Sequence, residues 1–342
     1  MADLGPAELV AGIVLVALTA YVLLGGADFG GGVWDLLASG PRKRDQRALI
    51  AEAIGPIWEA NHVWLILVIV VLFTCFPVAF ARLAIGLHIP LSLMLIGIVL
   101  RGSAFTFRSH YGHDGEHGDP AGTSQRWGRV FAIASAGTPV LLGLCVGALA
   151  AGTLRPPGRA GFHELYVAPW LTPFGVGVGL LTLALFAFLA AVYLTVEARG
   201  WALQEDFRRR ALGAAAAVFV AAFGTLGLAL LGAPLMGRGL TTAPWAPALH
   251  LATGVAALTA IWALWTRRFR LARVAAAAQV SLILWGWALA QYPYLIPPDL
   301  TIRAAAAPRI TLVLSLWTLG LGTLVLFPSL IYLFRVFKPA PR

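Results

Sequence analysis

Apolar residues in this chain run on for about twenty positions at a time, divided by short polar intervals. The runs centre on roughly 8–27, 60–81, 83–104, 129–151, 170–195, 212–233, 246–266, 273–291 and 310–335. About twenty residues of helix cross the roughly 30 Å of bilayer hydrocarbon. With no water in that layer, the backbone satisfies its own hydrogen bonds by coiling. The pattern predicts an all-α polytopic membrane protein with nine transmembrane helices. No self-similar period, low-complexity linker or hydrophilic segment of domain length interrupts it, so residues 1–342 read as a single integral-membrane domain.

Composition excludes a soluble globular domain: 59% of the 342 residues are hydrophobic and 12% charged, with a mean hydropathy of +0.82. The net charge of +10 invites a nucleic-acid reading, but the cations are distributed by topology instead of gathered on one surface. Nineteen of the 25 fall in or beside the first, third, fifth and seventh intervals and the tail; the others are Arg82, Arg155, Arg159, Arg238, Arg303 and Arg309. The positive-inside rule then puts the odd loops and the C-terminus in the cytoplasm and the N-terminus outside. That arrangement requires an odd number of spans. Asp3 and Glu8 stand where a signal peptide carries positive charge, so the first run is expected to remain as a span. Cys75 and Cys145 lie in apolar runs outside any metal or redox spacing. The polar stretch from Arg108 to Arg126 carries His110, His113, Asp114, Glu116, His117 and Asp119 among glycines and reads as a solvated loop, without fixed metal-ligand geometry.

Few of the fifteen acids enter apolar sequence. Asp28 lies in Gly25-Gly-Ala-Asp-Phe-Gly-Gly-Gly32, and Glu59 in Pro56-Ile-Trp-Glu-Ala-Asn-His-Val-Trp64, at the mouth of the apolar run Val63 to Phe80. A charge near a bilayer centre costs roughly 2.5–3.5 kcal/mol on insertion scales, so such acids point to function. Both fall toward the cytoplasmic half. Asp28 with Asp35, and Glu52 with Glu59, are seven residues apart, nearly two helical turns, and each pair could share a face. Asp35 and Glu52 also suit ordinary interfacial positions. Pro56 would free the carbonyl of Glu52 if one helix continued through it, while the five glycines around Asp28 predict tight packing or a local break. A carboxylic acid so placed suits a proton relay, and His62, three residues after Glu59, could extend it or bond the backbone. His62 and His88 are also conceivable haem ligands.

The chain resembles subunit II of the cytochrome bd quinol oxidases, whose pattern near the start is Asp-Gly-Phe-Asp-hydrophobic-Gly followed by Trp-Asp-Gly-Asn-x-x-Trp-Leu. Here the segments read Gly25-Gly-Ala-Asp28-Phe-Gly30 and Trp58-Glu-Ala-Asn61-His-Val-Trp64-Leu65. Further similarity runs through Leu72–Ala81, Leu100–Arg108, Thr172–Val176 and Gln291–Pro297. Gly25, Glu59, Ala60 and Thr106 depart from the pattern, and Glu59 keeps the carboxylate with one more methylene. The resemblance implies two four-helix bundles and a peripheral helix, and a heterodimer in a bacterial or archaeal cell membrane. A haem-bearing subunit I would hold haems b and d and oxidise quinol, and dioxygen would be reduced to water. This chain would support assembly, carry protons from the cytoplasm through Glu59, Asp28 and His62, and bind no haem itself; a structural quinone is left open. Trp58, Asn61 and Trp64 would serve packing or an oxygen path. The run Trp64–Leu72 suits such a path and is equally what a lipid-facing helix looks like. Arg101 and Arg108, seven residues apart, would line one face at the cytoplasmic interface. The competing reading is a secondary transporter or ion channel with intramembrane carboxylates, although the glycine- and proline-interrupted motif has no counterpart in the second half.

Overall fold

The computed structural model describes residues 5–54, 58–113, 123–154 and 161–337; the side chains at 58–60, 108–113, 123–125, 334 and 337 are outside the described set. The first half holds α1 (Pro6–Leu36), α2 (Lys43–Ile54), α3 (Trp58–Cys75), α4 (Pro77–Gly86), α5 (His88–His113) and α6 (Thr123–Ala151). After the single turn α7 (Phe162–Tyr166) come α8 (Pro173–Glu197), α9 (Trp201–Gly232), α10 (Pro234–Thr242), α11 (Ala246–Trp265) and α12 (Phe269–Gln291). A small antiparallel hairpin, β1 (Tyr294–Ile296) with β2 (Leu300–Thr301), leads through α13 (Ile302–Ala305) into α14 (Arg309–Phe337).

Among the described residues, eight helices are long and apolar enough to cross a membrane, or up to nine if Asn61–Cys75 and Pro77–Gly86, bent by 119°, form one span. Pro77 supplies the reason for the bend: it has no N–H to continue the ladder, and the chain restarts as a new helix with proline in its first turn. The glycine-rich segment, by contrast, produces no break, since α1 runs unbroken through it.

Helices α1, α3, α5 and α6 pack as one group and α8, α9, α11 and α12 as a second, joined where α8 meets α1 and α6. Helix α8 therefore sits at the centre, with Phe186, Phe188, Leu189, Ala191 and Val192 almost wholly buried. Its start is fixed by Thr172, whose Oγ1 accepts a hydrogen bond from the N–H of Gly175, with Pro173 in the first turn. Helix α14 stays at the periphery, with most of its described side chains exposed. Outward-facing leucines such as Leu231, 84% exposed, make sense only against lipid or a partner.

The glycines of α1 let α8 and α6 approach closely. A Cβ on Gly30 would collide with the carbonyl oxygen of Phe186, and one on Gly32 with the side chain of Ser135. The approach also lets the Trp34 indole Nε1 donate to the carbonyl of Ala187 at 2.7 Å. Gly30→Ala is therefore expected to destabilise the fold by about 1–3 kcal/mol, the usual penalty for overpacking. Thermal unfolding in detergent checks this, with Gly12→Ala, which meets nothing within 4 Å, as the neutral comparison.

Glu52 lies in α2 and Glu59 in the first turn of α3; residues 55–57 between them and the side chain of Glu59, on which a shared face depends, lie outside the described residues. Pro56 lies outside the described residues, as do residues 114–122 with His117 and the side chains of His110 and His113. No group of three or more His, Cys, Asp or Glu residues is arranged to hold a metal among the described residues.

Candidate functional site

The acids of α1 are drawn inward by packing. Asp28 is 5% exposed and Asp35 only 1%, so Asp35 belongs to the interior and not to an ordinary interface. The reason is the shared face anticipated from their spacing, which is the face α1 turns to its neighbours. Asp35 lies 3.7 Å from the Arg47 guanidinium, and Arg47 also donates to the Asp35 carbonyl. Glu52 remains at the surface, 3.3 Å from Arg199.

Asp28 meets Asn61, itself 1% exposed, on α3. The Asn61 amide Nδ2 donates to Asp28 Oδ2 at 2.5 Å, linking the two segments singled out in the sequence. The amide carries no charge of its own and orients the carboxyl group by donating to it. His62, the next residue, turns its ring toward Tyr21 at 6.1 Å between centroids and toward Phe29 at 5.8 Å. Trp64 packs half-buried against the main core. Beside it Val63, Ile66, Ile69 and Val70 point outward. The side chains of Trp58, Glu59 and Arg108 lie outside the described residues; the backbone places Glu59 in the first turn of α3.

Arg101 departs from its expected place. Instead of lining an exposed cytoplasmic face it is buried inside the first helical group, 2% exposed. Its Nε donates to Ser135 Oγ at 3.2 Å, and its guanidinium carbon lies 4.7 Å from the centroid of Phe29 and 5.4 Å from that of Phe131. A planar, weakly hydrated cation can be stacked between rings in this way. Its charge reaches Asp28 and Tyr21. Thr106, one turn further along α5, donates from Oγ1 to the carbonyl of Gly102.

A cavity of about 130 Å³ opens beside Asp28 and Asn61, with Ala53, Ala190, Glu197 and Arg273 also on its wall. Nearby, polar side chains join the two helical groups. Asp206 on α9 accepts from Arg42 Nη2 at 2.6 Å and from Gln46 Nε2 at 2.9 Å, while Arg210 Nη2 donates to Gln46 Oε1 at 2.7 Å. Glu205 pairs with Arg208 at 2.6 Å and reaches Arg267 at 3.5 Å. These contacts bring the first, fifth and seventh intervals to one end. At the other, Arg303 bonds Glu8, and Arg82 lies 2.8 Å from Asp299. Sequence reasoning passed over Gln46, Glu205, Asp206 and Ser135; Gln204-Glu-Asp-Phe-Arg-Arg-Arg210 was a visible polar run, but nothing in it named its partners on other helices.

Of the histidines whose side chains are described, His62 lies against the rings of Tyr21 and Phe29, His88 against the carbonyl of Ile85 and the ring of Tyr166, and His250 against the carbonyl of Leu240, while His163 is exposed in α7.

Apolar helices that bury a carboxylate–amide pair and a stacked arginine define a multi-pass membrane protein with polar chemistry in its interior. The family model for cytochrome bd terminal oxidase subunit II matches residues 6–337, and the chain belongs to that family. The cytochrome bd ubiquinol oxidase subunit 2 of Bacillus subtilis (strain 168) is 36% identical over 101 residues, 30% of this chain and 29% of that protein. The cytochrome bd-I ubiquinol oxidase subunit 2 of Escherichia coli (strain K12) is 25% identical over 213 residues, 60% of this chain and 52% of its own. The matched stretches thus span less than a third of the first relative and about half of the second. In fold, the chain is similar to a chain in the structure of bd oxidase from Geobacillus thermodenitrificans, with a TM-score of 0.78 at 20% identity, covering 98% of this chain and 99% of that one.

Proposed function

We propose that this chain is the supporting subunit of a cytochrome bd-type terminal oxidase, paired with a haem-bearing subunit I in a bacterial or archaeal cell membrane. The complex oxidises quinol, reduces dioxygen to water, and takes the protons for water from the cytoplasm. Electron transfer and oxygen reduction are chemistry that haems b and d supply when bound to the partner.

The observation that carries this reading for the chain itself is Asp28, buried and held by Asn61. A carboxyl group so oriented accepts a proton from one side and releases it to another, and the amide keeps its position in both states. Glu59, two residues before Asn61 on α3, is the second carrier, and His62 lies alongside. Arg101 holds α1, α5 and α6 in register around them. The apolar outward face beginning at Val63 and ending near Val70, with Trp64 beside it, suits an oxygen path toward the partner.

The chain crosses the membrane nine times, with α3 and α4 as one bent span, its N-terminus outside and its C-terminus in the cytoplasm. Support comes from the clustering of Arg42, Arg199 and Arg267 at the end opposite Glu8 and Arg303. Protons consumed on one side and released from quinol on the other store about 2.3 kcal/mol per charge per 100 mV.

Affinity capture of the tagged chain in mild detergent tests the proposal. A second polytopic chain carrying haems b and d should accompany it, visible in the absorption spectrum, while this chain purified alone shows no haem band. Capture of a haem-free, transporter-like assembly would overturn it.

A further inference from the structure

The cavity beside Asp28 has two unlike ends. At the inner end are Asp28 and Asn61, 5% and 1% exposed. At the other are Glu197, the last residue of α8, and Arg273, in the first turns of α12, with side chains 33% and 46% exposed. Between them Leu24, Ile54, Tyr193 and Leu194 line the wall together with Ala27, Gly31, Ala53 and Ala190, and these last four contribute no side chain beyond a methyl group. The space exists because these positions are small.

Its wall is mainly apolar, but its size and the polar groups at its ends admit water. A volume of about 130 Å³ is several times the roughly 10–15 Å³ that admits one water molecule, and such a molecule also needs two to four polar partners. Asp28, Asn61, Tyr193, Glu197 and Arg273 supply them, and all the titratable groups on the wall are among these five. The Glu197–Arg273 pair is a poor structural staple. Its charged atoms lie 3.9 Å apart at the surface, where an ion pair contributes about 0–1 kcal/mol. The Arg273 guanidinium is instead poised 4.9 Å above the ring of Tyr193, at the cavity wall.

We propose that Glu197 and Arg273 form the cytoplasmic mouth of a water-filled passage to Asp28. Glu197 takes a proton from solution, a short water chain carries it past Ala53 and Ala190, and the Asp28 carboxylate receives it. Arg273, held over the ring of Tyr193, lines the opening beside Glu197. This rests on the reading of Asp28 as a proton carrier.

Two measurements on the assembled, haem-replete oxidase in membrane vesicles test it. The first is independent of turnover. Ala53→Cys should react with a membrane-impermeant methanethiosulfonate reagent in inside-out vesicles and not in right-side-out ones; Cys75 and Cys145, both buried, give no background. Reaction with a lipid-soluble maleimide alone, or with neither reagent, overturns the passage. The second is oxygen consumption. Ala53→Leu, which fills the space, and Glu197→Gln should each slow quinol-driven turnover by roughly ten-fold, less than the roughly hundred-fold or more of a positioned proton-transfer group because each alters only the approach to Asp28. Glu197→Asp should recover most of the rate, and exposed Arg335→Gln should leave it unchanged. If Ala53→Leu and Glu197→Gln match the wild type while Asp28→Asn is slow, protons enter elsewhere and this inference fails, leaving Asp28's role intact. If Asp28→Asn is also at the wild-type rate, the carrier role itself fails.

Discussion

Replacing Asp28 by Asn is expected to lower quinol-driven oxygen consumption on the order of a hundred-fold, the lower end of what a positioned proton-transfer group contributes. The substitution preserves size and still permits a hydrogen bond with Asn61, but removes the group that can gain and lose a proton. Both haems should be retained, so the spectrum of the purified complex separates this outcome from failed assembly. Asp28→Leu should be worse, because it strands the buried Asn61 amide without its 2.5 Å acceptor; an unsatisfied buried group costs about 1–3 kcal/mol. In the same assay, Glu59→Gln should assemble and turn over slowly, and Glu59→Asp should keep much of its activity. Wild-type turnover by haem-replete Asp28→Asn across the working pH range would remove Asp28 from the obligatory path.

The largest structural effect is expected at Arg101. Truncation to Ala removes a cation stacked on Phe29 and Phe131 and bonded to Ser135, and opens a hole where α1, α5 and α6 meet. Disruption of buried charged clusters typically costs about 3–5 kcal/mol, enough to lose most of the assembled protein. Arg101→Lys should recover only part, since an ammonium keeps the charge but cannot offer a flat face to both rings. Arg126, exposed at the start of α6, provides the comparison: Arg126→Gln should change stability within about 0.5 kcal/mol. Haem content per milligram of captured complex and thermal unfolding in detergent measure both. Equal, negligible effects would reduce Arg101 to a signal of orientation.

The contrast between these arginines shows where one-dimensional reading stops. Both are cations beside apolar runs, and the positive-inside rule treats them alike. What separates them is that α6 presents Phe131 and Ser135 opposite Arg101, and α1 presents Phe29, a coincidence of three helices that no local spacing encodes. The glycines of α1 teach a related lesson. Their sequence allowed either a broken helix or close packing, and the approach of Phe186 and Ser135 selects packing.

The sequence by itself determined the predominantly helical, multi-pass class and the approximate place of each long apolar helix, and it singled out the segments of Asp28 and Asn61. It could do so because the bilayer imposes a length on every span and a penalty on every polar atom within it, and both constraints are local. Only the tertiary structure decided that Asn61 bonds Asp28, that Arg101 and Asp35 lie inside, that Asp206 binds Arg42 and Gln46, and that a cavity joins Asp28 to Glu197 and Arg273. Each of these depends on which faces of distant helices meet, and that is fixed by the packing of small against large side chains across the whole bundle.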